Sequence, residues 1–290
     1  MRSVRGVPYA VRRTTRREFL EIMAGVGVSF ACSGASPAAH GARLDKIGIQ
    51  LYTVRDQMKA DFEGTLARIA QIGYKEVEFA GYFDRAPADV RAILDRNGLA
   101  APATHIMLMD IEGWKKSIDT AKAVGHQYVV VPWIMEDKRK TLDDWKKMAA
   151  AFNQAAQLTK DAGMQFAYHN HDFEFQKVEN QIPFDTLLQN TDPKLVQLEI
   201  DLYWITKGGQ DPLSYFSRWP GRVPLVHVKD SAGAPDHKMT DVGQGSIDWK
   251  RIFAKKDQAG IKHFFVEHDQ PPQPFEDITV SYKYLSQLQF

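Results

Sequence analysis

From residue 47 onward, short runs of β-branched and aromatic residues alternate with longer stretches whose apolar residues recur at helical spacing. In the stretch 62–72, for example, Phe62, Leu66 and Ile69 repeat at intervals of three or four residues, which predicts an amphipathic helix with one buried face. Strands that alternate with helices in this way are typical of βα units joined into a parallel sheet. The pattern therefore predicts an α/β protein.

Eight strands are predicted in this region. They cover residues 47–52, 76–79, 101–105, 128–131, 165–169, 196–201, 224–227 and 263–267. Five of the intervening helices are followed by a glycine just before the next strand, where glycine commonly ends a helix. Eight βα repeats favour a closed (β/α)8 TIM barrel over residues 44–290. A doubly wound open sheet is the alternative, but it usually has fewer strands and an early glycine-rich phosphate-binding loop, which this sequence lacks.

The size and charge of the chain fit one large domain that does not bind polyanions. The chain has 290 residues, of which 44% are hydrophobic, and this suffices for a full core. Of its 37 basic and 36 acidic residues, the segment 1–43 holds seven Arg and two Glu, which leaves 30 basic and 34 acidic side chains from Leu44 onward. A slightly acidic barrel argues against nucleic acid as a partner. The single cysteine, Cys32, precedes the barrel, so no disulfide is expected within it.

Residues 1–43 have the features of an export signal. Arg16 and Arg17 are followed by the mostly apolar stretch 22–31 and then by small residues at 33–39. This order resembles a twin-arginine signal, and the apolar run is too short to span a bilayer. We therefore expect the twin-arginine export machinery as a partner, cleavage of the signal and a soluble periplasmic protein. An amphipathic or disordered extension is the alternative.

Four predicted strands in the second half of the chain end in side chains that commonly bind metals. They are His169 in FAYHNH, Asp201 in QLEID, His227 in PLVH and Glu267 in FFVE. In a closed parallel barrel the C-terminal ends of the strands meet at one rim, so these side chains are expected to converge. Each alone has an ordinary explanation, such as a helix N-cap or a hydrogen-bonded histidine. Together, their mixed nitrogen and oxygen donors predict one divalent metal, which is Mn, Mg, Co or Zn.

The order of several short motifs resembles that of a known family. The motifs YHNHDFEF, EIDLYW, VHVKD, DVGQGSIDW and VEHD, set in eight βα units, are similar to the sugar phosphate isomerase and epimerase family, whose members are xylose isomerase-like TIM barrels. The resemblance spans residues 44–290. It implies a metal held by a Glu on strand five, an Asp on strand six, a His on strand seven and a Glu on strand eight. The last three fall on Asp201, His227 and Glu267, whereas the strand-five position falls on His169.

This resemblance implies a sugar isomerase or epimerase that abstracts a proton next to a carbonyl through an enediolate. In the family the two glutamates form the acid/base pair, so Glu267 is the expected general base, and the opposite role falls on His169, on His171 or on neither. A metal-bound imidazole cannot also act as an acid or base. The missing glutamate gives weight to an alternative, a lyase or hydrolase of 3-keto-glycosides. A periplasmic sugar-binding protein without turnover is a third reading.

Four further side chains are predicted to contact the substrate. Glu78 and His105 end strands two and three and resemble family positions that touch substrate, while His171 lies two residues after His169 and on the same side of the strand. Lys229 follows strand seven and is expected to steady an oxyanion, although solvated lysines are more common. The sequence shows no clear phosphate site, so a neutral sugar is expected. The number of subunits stays open, with a homo-oligomer among the alternatives.

A glycine-containing segment after strand seven is predicted to move. Residues 241–249 include Gly243 and Gly245, and glycines allow a loop to change conformation. We therefore expect this loop to close over the bound ligand.

Overall fold

The computed structural model describes residues 41–290. The predicted export signal, residues 1–43, lies outside the described residues except for its last three. Within residues 41–290 no helix has the length and hydrophobicity needed to cross a membrane.

Eight parallel strands close into a barrel, which confirms the predicted fold. They are β1 (Gly48–Gln50), β2 (Glu76–Phe79), β3 (Ala100–His105), β4 (Tyr128–Val131), β5 (Gln165–His169), β6 (Val196–Asp201), β7 (Leu225–Val228) and β10 (His263–Val266). Neighbours in sequence are neighbours in the barrel, and β10 pairs with β1 to complete the circle. Four strands have the predicted bounds, and the others differ by one or two residues at an end.

Helices follow the strands and cover the outside of the barrel. They are α1 (Arg55–Ala60), α2 (Phe62–Ile72), α3 (Pro87–Asn97), α4 (Ile111–Val124), α5 (Leu142–Asp161), α6 (Pro183–Gln189), α7 (Leu202–Lys207), α8 (Pro212–Arg218), α9 (Trp249–Phe253), α10 (Lys256–Ala259) and α11 (Pro274–Gln287), with short 3-10 helices at Leu51–Val54, Glu136–Lys138 and Phe173–Phe175. Gly98 and Gly125 end α3 and α4 with φ of 62° and 94°, the left-handed conformation that glycine adopts without strain.

Two apolar layers surround the strands, one outside and one inside. On α2, the predicted stripe of Phe62, Leu66 and Ile69 is buried against the outer face of the barrel. Inside the barrel, a separate apolar cluster is formed by Ala103, Tyr128, Val130, Ala167, Leu225 and Phe265. Because side chains alternate along a strand, the residues two positions further along several of these strands point to the same interior. Those positions are polar, and they lie at the C-terminal end of the barrel.

The loop 241–249 is anchored to a short antiparallel ribbon of β8 (Asp230–Ser231) and β9 (Met239–Thr240). The carboxylate of Asp230 accepts five hydrogen bonds, from the backbone N–H groups of Ser231 (2.8 Å), Gly243 (2.9 Å), Gly245 (3.3 Å) and Ile247 (3.2 Å) and from Trp249 Nε1 (2.9 Å). A Cβ atom at Gly245 would lie 2.2 Å from Asp230 Oδ1. The glycines therefore serve close packing around Asp230, which argues against the predicted loop closure.

Candidate metal centre and substrate cavity

A layer of ionisable side chains fills the C-terminal end of the barrel interior. It contains Glu78 from β2, His105 from β3, His169 from β5, Glu199 and Asp201 from β6, His227 from β7 and Glu267 directly after β10. Strand register aligns them, because Asp201 lies opposite His227 and Glu199 lies opposite His169. These side chains form two groups that share His227.

The inner group consists of His105, His169, Glu199 and His227. Glu199 Oε2 lies 2.7 Å from His105 Nε2, 3.1 Å from His227 Nε2 and 3.3 Å from His169 Nδ1. Glu199 and His227 are fully buried, and His105 is the most exposed of the four, at 11% of its side chain. Three imidazole nitrogens therefore surround one carboxylate oxygen inside the barrel.

Glu78 lies beside the inner group. Its Oε2 accepts hydrogen bonds from His227 Nε2 (2.6 Å) and from Gln50 Nε2 (2.9 Å). Burial and the neighbouring Glu199 raise the pKa of Glu78 to about 7. Burial also raises the pKa of Glu199, but His227 and His105 outweigh it and hold that pKa well below the usual range. Of two adjacent buried carboxyl groups, Glu199 is thus the ionised one and Glu78 the one that retains a proton near neutral pH.

The outer group consists of Asp201, His227 and Glu267. His227 Nδ1 lies 2.8 Å from Glu267 Oε2 and 3.9 Å from Asp201 Oδ2. The ammonium of Lys229 lies among these carboxylates, with Nζ 2.7 Å from Glu267 Oε2, 3.0 Å from Asp201 Oδ2 and 2.8 Å from Asp269 Oδ1. The Lys229 side chain is 1% exposed, so it is not the solvated lysine that is more usual at such a position.

The ion pairs of the outer group fix its charges. Burial lowers the pKa of Lys229, but Asp201, Glu267 and Asp269 together raise it well above its usual value. Burial raises the pKa of Glu267, and Lys229 and His227 reverse this and hold it well below its usual range. For Asp201 burial prevails and raises the pKa to about 6. Glu267 is therefore a carboxylate beside a permanent ammonium cation at neutral pH.

The donor set fits a divalent metal. Among the described residues, Asp201 Oδ2, His169 Nδ1, Glu199 Oε1 and Glu78 Oε1 are buried and have no hydrogen-bond partner, although Asp201 Oδ2 has Lys229 at ion-pair distance without hydrogen-bond alignment. Buried polar atoms are nearly always paired. In each group the ligand-type atoms lie within 4.8 Å of one another. Mixed imidazole and carboxylate donors at such spacing are typical of metal sites.

A cavity of about 670 Å³ opens directly above this layer. His169, His171, Lys229 and Glu267 line its floor, and Trp133 and Trp204 line its walls. The rings of His171 and Trp133 pack edge to face at 4.6 Å. Burial lowers the pKa of His171 well below its usual value, so its imidazole is neutral. The size of the cavity falls within the range of small-molecule sites.

Comparison with known proteins assigns the chain to a family. The family described as xylose isomerase-like TIM barrel matches residues 66–284. The chain belongs to this family. Xylose isomerase-like barrels similar to it include the inosose dehydratase of Lacticaseibacillus casei, 26% identical over 265 residues that cover 77% of this chain and 88% of the relative. The inosose dehydratase of Geobacillus kaustophilus is 25% identical over 266 residues, covering 77% of this chain and 86% of the relative.

A solved structure is also similar to this xylose isomerase-like barrel. It is a sugar phosphate isomerase/epimerase from Parabacteroides distasonis, with a TM-score of 0.75 and 28% sequence identity over 87% of this chain and 96% of that chain. The named relatives are therefore enzymes, and they include both a lyase and an isomerase or epimerase.

The barrel brings together all the site residues predicted from sequence. Asp201, His227 and Glu267 meet in the outer group, whereas His169 joins the inner group and approaches Asp201 only to 3.8 Å through Nε2. The sequence analysis did not single out Glu199, which the structure places at the centre of the inner group. An acidic residue inside an otherwise apolar strand, two residues before Asp201 and therefore on the same face, was the available signal.

The remaining predicted residues surround these groups. Glu78 and His105 lie beside Glu199 inside the barrel, and His171 and Lys229 border the cavity. Gln50 and Asp269, which contact Glu78 and Lys229, were not predicted.

Proposed function

We propose that this protein is a metal-dependent lyase that acts on a keto-sugar or keto-cyclitol and eliminates a leaving group next to the carbon that loses a proton. The inosose dehydratases among its relatives support a lyase, which was the alternative in the sequence analysis. The isomerase or epimerase activity implied by sequence is the second candidate, and its support is the similarity to the Parabacteroides distasonis structure.

One structural observation carries the proposal. Glu267, His171 and Lys229 border a single cavity whose floor is a cluster of metal-binding types of side chain. A ring placed in this cavity contacts a carboxylate, a neutral imidazole and an ammonium group at once. These are the groups that proton abstraction next to a ketone requires.

The proposed reaction begins at the carbon next to the ketone. A bound divalent metal supplies a Lewis acid that polarises the ketone oxygen and makes the adjacent C–H more acidic. Glu267 accepts this proton, because Lys229 and His227 keep it ionised. Lys229, held by Asp201, Glu267 and Asp269, offsets the negative charge that develops on the substrate.

Elimination is completed on the next carbon. The electron pair released from the broken C–H bond forms a carbon–carbon double bond, and the C–O bond to the leaving group breaks. The neutral ring of His171 presents an N–H to the leaving oxygen, and the proton taken by Glu267 balances the departing hydroxide or alkoxide. His171 is suited to this role because its Nδ1 has no partner among the described residues. His169 is held between Glu199 and Asp201 instead.

A neutral substrate fits the charges around the cavity. The lining residues include two fixed cations, Arg55 and Lys229, and three acidic residues, Asp172, Glu267 and Asp269. Lys229 is already paired with Glu267 and Asp269. A phosphate group requires several free donors, so a sugar without phosphate, such as a 3-keto-glycoside or an inosose, is proposed.

Product analysis tests the proposal. Metal-loaded protein is incubated in deuterated water with a 3-keto-glucoside carrying a chromogenic aglycone and, separately, with an inosose. A lyase releases the aglycone or gives an enone that absorbs in the ultraviolet. Glu267→Gln is expected to lower kcat by at least about 100-fold, whereas the exposed Glu112→Gln on α4 serves as the control. Deuterium exchange with no bond cleavage would favour the isomerase, and binding without any reaction would favour the sugar-binding protein.

We further propose that the protein acts after export, which the residues Arg16 and Arg17 and the apolar stretch 22–31 suggest. Fusion of residues 1–43 to a reporter that is active only after twin-arginine export tests this. Replacing both arginines by lysine is expected to abolish the signal of the reporter, and an unchanged signal would contradict the proposed route.

A further inference from the structure

We infer that the divalent metal binds the inner group, through His105, His169, Glu199 and His227, and that Lys229 acts as the permanent cation of the outer group. This inference rests on the metal dependence of the proposed function. It differs from the site implied by the family resemblance, in which Asp201 and Glu267 are metal ligands.

The outer group already contains a cation. Lys229 Nζ lies within 3.0 Å of carboxylate oxygens from Asp201, Glu267 and Asp269. Because the Lys229 side chain is 1% exposed, the ammonium has no direct contact with bulk water to replace these partners. A divalent ion bound between Asp201 and Glu267 would lie against this ammonium or displace it, and like charges at such distances repel strongly inside a protein.

The inner group, in contrast, has carboxylates without a fixed cation. Within residues 41–290 neither Lys nor Arg forms an ion pair with Glu199 or Glu78. Their partners are histidines, which bind metals as neutral rings. Glu199 Oε1, Glu78 Oε1 and His169 Nδ1 are buried and without a hydrogen-bond partner among the described residues. A bound cation would satisfy a buried carboxylate that lacks a fixed counter-charge.

The two ring nitrogens of His227 support this division. Nε2 faces the inner group, 3.1 Å from Glu199 Oε2, and Nδ1 lies 2.8 Å from Glu267 Oε2. If Nε2 binds the metal, the Nδ1–H donates to Glu267, and a carboxylate that orients a metal-bound imidazole in this way is a common arrangement. Glu267 then stays outside the metal's ligands and is available to accept a proton.

The donor types also select the metal. Three imidazole nitrogens and one carboxylate suit Zn, Co, Mn, Fe or Ni, whereas Mg prefers oxygen donors and retained water molecules. His169, which stands where the family has a glutamate, therefore moves the site toward a nitrogen-rich set. We expect Zn²⁺ or Co²⁺ to bind more tightly than Mg²⁺.

Metal titration of four variants tests the assignment without any substrate. Full-length protein is freed of metal with a chelator and titrated with Zn²⁺ by calorimetry and with Co²⁺ by visible absorption. Glu199→Gln and His105→Asn are expected to weaken Zn²⁺ binding by about 10- to 100-fold and to change the Co²⁺ spectrum. Asp201→Asn, which keeps the oxygen that caps α7 through the N–H groups of Tyr203 and Trp204, is the matched control and is expected to change the affinity by less than about 5-fold.

Lys229→Met provides the decisive comparison. If Lys229 and the metal occupy different groups, this variant binds Zn²⁺ with nearly the affinity of the wild type. An increase of more than about 10-fold would show that Lys229 competes for the metal's position and would overturn the inference, as would loss of the metal in Asp201→Asn but not in Glu199→Gln. The melting temperature of each metal-free variant shows whether it folds, and His105→Asn keeps the test valid if Glu199→Gln does not.

These binding results are independent of turnover. A protein that binds Zn²⁺ as expected but releases no aglycone retains the metal assignment and loses the lyase proposal. A protein that binds no divalent metal in any form loses both.

Discussion

Glu174 holds the backbone of His171 in place. The N–H of His171 donates to Glu174 Oε2 at 2.9 Å, and the hydroxyl of Tyr168 lies 2.5 Å from Glu174 Oε1. Glu174 is fully buried, and burial raises its pKa to about 8 despite these hydrogen bonds. The segment that carries His171 into the substrate cavity is therefore supported from behind by one carboxyl group.

Replacing Glu174 is expected to separate hydrogen bonding from charge. Glu174→Gln can still accept from His171 and donate to Tyr168, so we expect the stability to change by less than about 1 kcal/mol. Glu174→Ala leaves two buried groups unpaired and is expected to cost about 2–4 kcal/mol and to lower kcat through displacement of His171. Chemical denaturation and the lyase assay measure the two effects. Equal losses in both variants would show that the charge, and not the hydrogen bonds, is what matters.

Asp230 is expected to be essential for the loop 241–249. Asp230→Ala removes an acceptor of five hydrogen bonds, including that of Trp249 Nε1, and is expected to destabilise the protein by about 3–5 kcal/mol. In the same loop, the exposed Asp248 caps α9 through the N–H of Arg251, and Asp248→Ala is expected to cost only about 1 kcal/mol. Denaturant midpoints of both variants check this, and similar midpoints would contradict the anchoring role of Asp230.

The barrel could be predicted from sequence because its elements are local. The repeat of apolar runs and amphipathic helices depends on residues close in the chain, and this is why β2, β4, β5 and β6 have the predicted bounds. The rim residues could be predicted for the same reason, since a TIM barrel directs the ends of its strands to one place. Asp201, His227 and Glu267 follow from this rule alone.

The arrangement within the site could not be predicted in this way. Glu199 and His105 are 94 positions apart, and only the closed barrel shows that they touch. Likewise, the burial of Lys229 depends on Asp201, Glu267 and Asp269, which come from different loops and strands. The sequence contains each residue type, but the pairing of charges is a tertiary property.

Removal of the metal is expected to lower the thermal stability. A metal that binds only the folded protein stabilises it by about 2.7 kcal/mol at a free concentration 100 times its Kd, and this corresponds to a rise in Tm of roughly 5–10 °C for a domain of this size. Melting curves with added Zn²⁺ and with a chelator measure the difference. The rise is expected to vanish in Glu199→Gln and to persist in Glu112→Gln. A wild-type Tm unaffected by chelation and by added Zn²⁺ would contradict a metal site in this structure.

His126 is expected to make the protein less stable in mild acid. Its Nδ1 lies 2.7 Å from the carbonyl oxygen of Ala101 and its Nε2 lies 2.9 Å from the hydroxyl of Tyr82, and burial lowers its pKa to about 4. Because the unfolded chain binds a proton at an ordinary histidine pKa of about 6.5, the stabilising contribution is complete above that pH and is lost as the pH falls toward 4, by up to about 3 kcal/mol. His126→Asn, which retains a donor toward Ala101, should therefore lose less stability than the wild type between these pH values. Parallel losses in urea unfolding at pH 7 and pH 5 would assign the acid sensitivity to other groups.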